Sequence, residues 1–336
     1  MRWRTVAVLG TLLAVSGLAA LVAYCFLPAS RTPRYRVVAI PMRASANEIG
    51  ARLRRAGIIH SARAFVIIAR LLGESKHLQS GDYRLSPHMS LAQIVYALSS
   101  GQSISRWVTL PEGYGVDQIA QTLADAGLCD RRRFRRIALV GGRSFRVAGR
   151  TAPRSLEGYL FPDTYKLRTR ATERQIIETM LANFDLKVAK PLAPQFARAA
   201  AAGLSMPKVI TLASLVEREA KRSEERPIIA GVLLNRMRAH MPLQCDATVQ
   251  YALGEHKSRL GLRDLKVDSP YNTYKHVGLP PGPICNPGLA SIKAALQPAR
   301  TPYLYYVANG DGSHVFSTTF ADHTRAKRLI SARRPS

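Results

Sequence analysis

Two carboxylates, Glu217 and Glu219, stand in the apolar run Val209 to Ala220, VITLASLVEREA. Apolar residues at 209, 212, 213, 216 and 220 recur at the spacing of one helical face. A carboxyl set among Val, Leu and Ala is desolvated, which disfavours its charged form. A Glu protonated near neutral pH is a general acid. The alternative is a solvated helix end, with both acids paired to Arg218, Lys221 or Arg222. Two residues on a helix are about 200° apart, so Glu217 and Glu219 cannot face one cleft together, and periodicity does not choose between them. A second helix, Arg226 to Arg238, follows, and then the polar loop Gln244-Cys245-Asp246-Ala247-Thr248. Two helices bringing acids and amides to one loop make a cleft.

Other stretches carry recognition chemistry. Leu156 to Tyr165, LEGYLFPDTY, places three aromatics and two acids around Gly and Pro. Rings can stack on the apolar face of a pyranose while acids bind its hydroxyls; equally, the rings can be the buried anchors of a strand and turn. Asp268 to Tyr274 and Gly278 to Pro283 read as loops stiffened by Pro and Gly, and long ordered loops are usually functional. The four cysteines show neither metal-ligand nor redox spacing, so no metal and no cofactor is expected. Cys245 and Cys285 could pair if both line the cleft; free thiols are the simpler reading.

The elements that must hold these residues follow from the rest of the chain. At 336 residues there is room for two or three domains with real cores. The formal net charge of +27 predicts an anionic neighbour, whether nucleic acid, lipid headgroups or an acidic polymer. No nucleic-acid-binding signature accompanies it, so charge alone does not point to nucleic acid. Val6 to Leu27 is an apolar run without a charge, long enough to cross a bilayer and longer than a usual signal-peptide core. A cleaved signal is the alternative. The flanking arginines do not settle its orientation, but a five-residue head and a large C-terminal body favour export of the body.

From Tyr35 the chain alternates as a strand would. Helices at Ala46 to Ala56, Ser61 to Leu72 and Leu91 to Leu98 flank a turn and strand over 78–85. Strand, turn and Ala-Gly-terminated helix then recur at a constant offset: Ile40-Pro41 is echoed by Leu110-Pro111, and Ile49, Leu53, Ala56 and Gly57 by Ile119, Leu123, Ala126 and Gly127. Phe134 to Arg154 is basic and reads as a loop or boundary. Helices are expected over 173–184 and 196–202, a short one over 292–296, and a hairpin from strands 303–307 and 314–317 across Asn309 to Ser313. The fold class is α+β.

Taken together, several blocks resemble the endolytic murein transglycosylases, the YceG-like family. They are Leu110 to Gly113, Glu157 to Tyr165, Ala213 to Glu219, Asn235-Arg236, Leu243 to Asp246, Tyr271 to Tyr274, Gly278 to Gly282 and Tyr303 to Tyr305. The resemblance implies a cytoplasmic head over 1–5 and a single-pass inner-membrane anchor over 6–27. A LysM-like module over 35–105 and a lysozyme-like mixed catalytic domain over 106–330 would then lie in the periplasm. It implies a lytic transglycosylase that cuts peptidoglycan glycan strands internally at the MurNAc–GlcNAc β-1,4 bond, leaves 1,6-anhydro ends, and acts in wall synthesis and strand-length control. Glycan strands, membrane lipid and the wall synthases are the implied partners, not nucleic acid. The family's catalytic carboxylate falls on Glu219; Glu157, Gln244, Asp246, Tyr271 and Asn272 are the candidates for holding sugar. The sequence departs from the family pattern at Gly115 and Cys245, where Thr is usual, and at Ala247, where Pro is usual. A non-catalytic, membrane-anchored glycan binder is the competing reading.

Overall fold

In the computed structural model the described residues are 15–17, 19, 20, 23, 27–41, 43–254, 257 and 260–332. The expected anchor, Val6 to Leu27, lies largely outside them. Among the described residues no single helix is long and apolar enough to cross a membrane. The chain forms a mixed α+β structure of two units, Met1–Trp107 with Lys166–Ala171, and Val108–Tyr165 with Thr172–Ser336.

In the first unit, β1 (Arg36–Ile40) pairs antiparallel with β2 (Gly81–Leu85), Arg36 opposite Leu85 and Ile40 opposite Gly81. Alternation sends Val38, Ile40, Tyr83 and Leu85 inward and leaves Val37 exposed, the period-two signature of a half-buried sheet. Between the strands lie α1 (Ala46–Arg55) and α2 (Ala62–Leu71); α3 (Leu91–Ser99) follows β2. Ser45 with Glu48 and Ser90 with Gln93 close capping boxes that satisfy the first N–H groups of α1 and α3. Leu53, Ile58, Phe65, Ile94 and Leu98 meet on the inner face of the sheet to make the core.

β3 (Ser105–Leu110) leads out of this unit, and α4 (Val116–Asp125) and α5 (Arg131–Val140) open the second. The echo is visible in three dimensions: α4 begins and ends 70 residues after α1, with Gln118 in the capping-box place of Glu48. Gly57 and Gly127 both take left-handed φ after their helices, +66° and +67°, a conformation that costs a glycine nothing. The basic stretch expected as a loop over 134–154 is a helix for its first part. Phe134 and Ala138 are buried while the arginines of α5 point outward, an amphipathic pattern masked by the density of charge. A small hairpin, β4 (Arg146–Val147) with β5 (Arg150–Thr151), completes that stretch.

After β6 (Asp163–Arg168), which pairs with β3, come α6 (Glu173–Phe184), α7 (Ala193–Ala201) and α8 (Met206–Glu219). They are followed by α9 (Arg226–Arg238), α10 (Asp246–Leu253) and α11 (Leu289–Leu296). The hairpin of β7 (Tyr305–Ala308) and β8 (His314–Ser317) precedes α12 (Phe320–Ala332), a helix the sequence reading passed over. Helix α8 is the axis of the unit. Every residue from Val209 to Val216 is buried, so it is enclosed on all sides rather than along one face. It packs against α7, α9, α10 and α11.

Candidate active site

Helix α8 stops at Glu219 because Ala220 turns to extended backbone, φ −79° and ψ 121°. Only its last three residues emerge from the core, carrying both acids, and the two carboxylates go to different places. Glu217 Oε2 accepts from Gly288 N at 3.0 Å, at the start of α11, and its Oε1 lies 3.9 Å from Arg226 Nη2. Glu112 shares this neighbourhood, its carboxyl pushed up by burial and by the Glu217 charge. Glu217 is therefore tied into the scaffold.

Glu219 turns toward the β7–β8 hairpin and the start of α10. Tyr306 Oη donates to Glu219 Oε2 at 3.2 Å. Burial drives the Glu219 pKa up to about 7, helped by the Asp246 charge and opposed by the Tyr306 hydrogen bond and Arg218. The position at a helix C-terminus, where carbonyl dipoles disfavour an anion, acts in the same direction as burial. A carboxyl with that balance is populated in both protonation states near neutrality, as a residue that first gives and then takes a proton requires.

The polar loop beside it is set by tertiary bonds. Gln244 N donates to Thr273 O at 3.1 Å and Cys245 N to Thr273 Oγ1 at 3.0 Å, joining the 241–245 segment to the 273–277 loop. Gln244 stands at φ +56°, a left-handed conformation uncommon for a residue with a Cβ and met most often where surroundings impose it. Its side chain is fixed by Arg236 Nη2, which donates to Oε1 at 2.6 Å. Asp246 is the first residue of α10, where free N–H groups favour an anion, and accepts from Tyr274 Oη. The expected polar loop thus ends at Cys245, and a helix begins.

The structure brings Glu219, Cys245 and Asp246 together, with Gln244 adjoining; Gln244 and Asp246 are solvent-exposed. Tyr271 lies half-buried with its ring 4.8 Å from that of Tyr251. Two candidates are engaged inside the protein. Asn272 is fully buried, donating to Leu265 O and Val267 O and accepting from Tyr274 N, so its amide shapes its own loop. Glu157 is also buried, accepts from Val116 N at 3.1 Å and Asn286 Nδ2 at 2.9 Å, and is pushed by burial up to about 8. Tyr159, Phe161 and Tyr165 around it are all buried, which decides for anchoring and against ring stacking on sugar. Cys129, Cys245 and Cys285 are free thiols, and among the described residues no cluster could hold a metal ion.

Three residues around Glu219 had no role in the sequence reading. Arg236 is buried and donates to Pro242 O, Leu304 O and Gln244 Oε1, joining α9, the loop and the residue before β7 with one guanidinium. Tyr306 donates to Glu219 and Tyr274 to Asp246. The run of tyrosines at 303–306, the Tyr271 to Tyr274 block and the Asn-Arg pair at the end of α9 hinted at them. A cavity of about 1040 Å³ between the β4–β5 hairpin, α7 and the start of α8 holds one acid, Asp185, whose carboxylate already accepts from Ala148 N. It lies at the end of α8 opposite Glu219, about 20 Å away by helical rise.

The model of the YceG-like family matches residues 38–329. An endolytic murein transglycosylase of Bacillus subtilis (strain 168) is 36% identical over 311 residues, which cover 88% of this chain and 84% of that protein. A second, from Streptococcus pneumoniae (serotype 2, strain D39), is 32% identical over 326 residues, covering 88% of this chain and 58% of the relative. Among solved structures, a YceG-like protein from Listeria monocytogenes matches with a TM-score of 0.59 and 34% identity, over 88% of this chain and all of that one.

Proposed function

The chain belongs to the YceG-like family, and we propose on that footing that it is an endolytic peptidoglycan lytic transglycosylase with Glu219 as its acid and base. The observation that carries this reading is a single carboxyl, half-buried at the end of α8, held near pKa 7 beside an exposed polar loop.

The chemistry needs no second catalytic carboxylate, unlike most glycoside hydrolysis. Protonated Glu219 gives its proton to the oxygen between MurNAc and GlcNAc, and the C1–O bond breaks with cationic character at C1. The resulting carboxylate takes the proton of the C6 hydroxyl, and O6 closes on C1 to give the 1,6-anhydro ring. No water is consumed, Glu219 ends protonated, and the tethered hydroxyl acts at a large effective concentration. Gln244, Asp246 and Tyr271 hold the sugars; Glu157 and Asn272 act indirectly, through the backbone they fix. Cutting within strands sets strand length during wall growth.

The finer architecture belongs to the same proposal. Val6 to Leu27 anchors the chain in the inner membrane with its body in the periplasm. The β1–α1–α2–β2 arrangement is a LysM-like glycan-binding module, and the remainder is a lysozyme-like catalytic domain. The +27 charge suits anionic lipid and the carboxylates of stem peptides, beside the wall synthases. Protease added to spheroplasts should digest the body; survival until the membrane is lysed would reverse the orientation.

The direct test is mass analysis of products after the full chain acts on purified glycan strands. Internal fragments with 1,6-anhydro ends are expected. Reducing ends would make the enzyme a hydrolase, and intact strands that remain bound would make the protein a binder.

A further inference from the structure

An acid that also serves as base must present one chosen oxygen to the substrate, since a carboxyl free to rotate offers either. We propose that Tyr306 is a positioning residue that commits Oε2 of Glu219 to a hydrogen bond, so that Oε1 carries the transferable proton and later accepts the one from C6. The proposal rests on the reading of Glu219 as the acid and base.

Three observations support it. The first is the bond itself, Tyr306 Oη to Glu219 Oε2 at 3.2 Å. The second is the weakness of the rival acceptor. The phenol's other partner is the Cys245 thiol, and sulfur accepts weakly, so the phenolic hydrogen goes to the carboxyl. Burial also pushes the Tyr306 hydroxyl well above its ordinary range, which keeps it a donor. The third is that the ring is held. His314 meets it edge-on, centroids 5.5 Å apart at 87°. His314 is itself fixed by buried Glu225, its Nδ1 2.6 Å from Oε2 and its backbone N donating to Oε1 at 2.9 Å. A buried carboxylate–imidazole pair thus backs the tyrosine that sets the orientation of the acid.

The groups facing Glu219 come from four elements: Arg218 on α8, Asp246 on α10 with Cys245 at its cap, Tyr274 on the 273–277 loop and Tyr306 on β7. Arg236 on α9 acts on Cys245 behind them. Of these, Tyr306 donates directly to a Glu219 oxygen, which favours the carboxylate. Removing the hydroxyl should therefore do two separable things: free the carboxyl to rotate, and raise the pH at which it loses its proton.

The test is the pH profile of kcat/KM for anhydro-product formation by the full chain, with wild type, Tyr306→Phe and 3-fluorotyrosine at 306. Phe keeps the ring against His314 and should lower kcat by about ten- to hundredfold, the worth of one hydrogen bond to a charged group. The alkaline limb, where Glu219 deprotonates, should move to higher pH. The fluorinated ring is a stronger donor in nearly the same shape and should move that limb to lower pH. If Phe fails to fold, the fluorinated protein alone decides. A limb unmoved in the folded variants overturns the proposal even if rates fall, because disrupted packing lowers rate without moving a titration. Absence of anhydro product from wild type would instead overturn the role of Glu219.

Discussion

Glu219→Gln is expected to abolish anhydro-product formation in a protein that remains folded and still binds glycan. Gln keeps the shape and accepts from Tyr306 but has no proton to give. Loss of general acid catalysis alone costs typically ~10²–10⁴-fold, and in the proposed mechanism one group serves both steps. Stability should move the other way. The folded pKa of Glu219, about 7, lies above its unfolded value, so folding binds a proton and wild-type stability falls as pH rises toward 7. The Gln variant lacks that loss, and thermal melts compared across this window should favour it increasingly. Glu217→Gln should show the reverse pattern: activity retained, and a modest loss of stability, about 1–2 kcal/mol, as the contact with Arg226 and the bond from Gly288 weaken. Exchange of the two phenotypes would transfer the catalytic role to Glu217. Activity in both variants would sink the single-carboxylate mechanism.

Asn286→Ala is expected to cause the largest loss of stability among the polar residues of the second unit. Asn286 is buried, and its side chain makes four bonds of 2.9 Å: Oδ1 accepts from Gly158 N and Leu160 N, and Nδ2 donates to Tyr114 O and Glu157 Oε1. Its own backbone N and O bond Tyr114 and Gly113. One amide thus joins the turn before α4, the Glu157–Leu160 segment and the loop before α11. Alanine leaves two buried N–H groups without acceptors, each worth about 1–3 kcal/mol, together with the loss at Glu157 and Tyr114. A total of roughly 3–6 kcal/mol, read as a fall in melting temperature of roughly 10 °C, is expected. Asn286→Asp should bring no recovery, since it keeps the acceptor but turns a second carboxylate oxygen toward Glu157. A melt of the alanine variant close to that of wild type would show that water or a shifted loop replaces these bonds.

Much of the fold was legible because its signals are local. Ser45 with Glu48, Ser90 with Gln93 and the glycines at 57 and 127 mark helix ends within a few residues, and α6 and α9 have the bounds the pattern predicts. Strands β1 and β8 follow from alternation and from the Asn309–Ser313 turn. Where the signal was overwritten, the reading failed. In α5 five arginines hid an apolar face of Phe134 and Ala138, and α12 sets a single buried Ile330 among polar residues.

The sequence by itself put two acids at the end of a buried helix and, through the family blocks, favoured Glu219. Periodicity could not separate them, because their angles from the apolar face are nearly equal. Only the tertiary structure shows that the two side chains end in different places. Glu217 meets the N–H of Gly288 and the guanidinium of Arg226, which come from 71 and 9 residues away in the chain. Glu219 meets Tyr306, 87 residues away, and the charge of Asp246. The acidity of a carboxyl depends on the burial and charges within a few ångströms of it. When those neighbours lie that far along the chain, no local pattern encodes them.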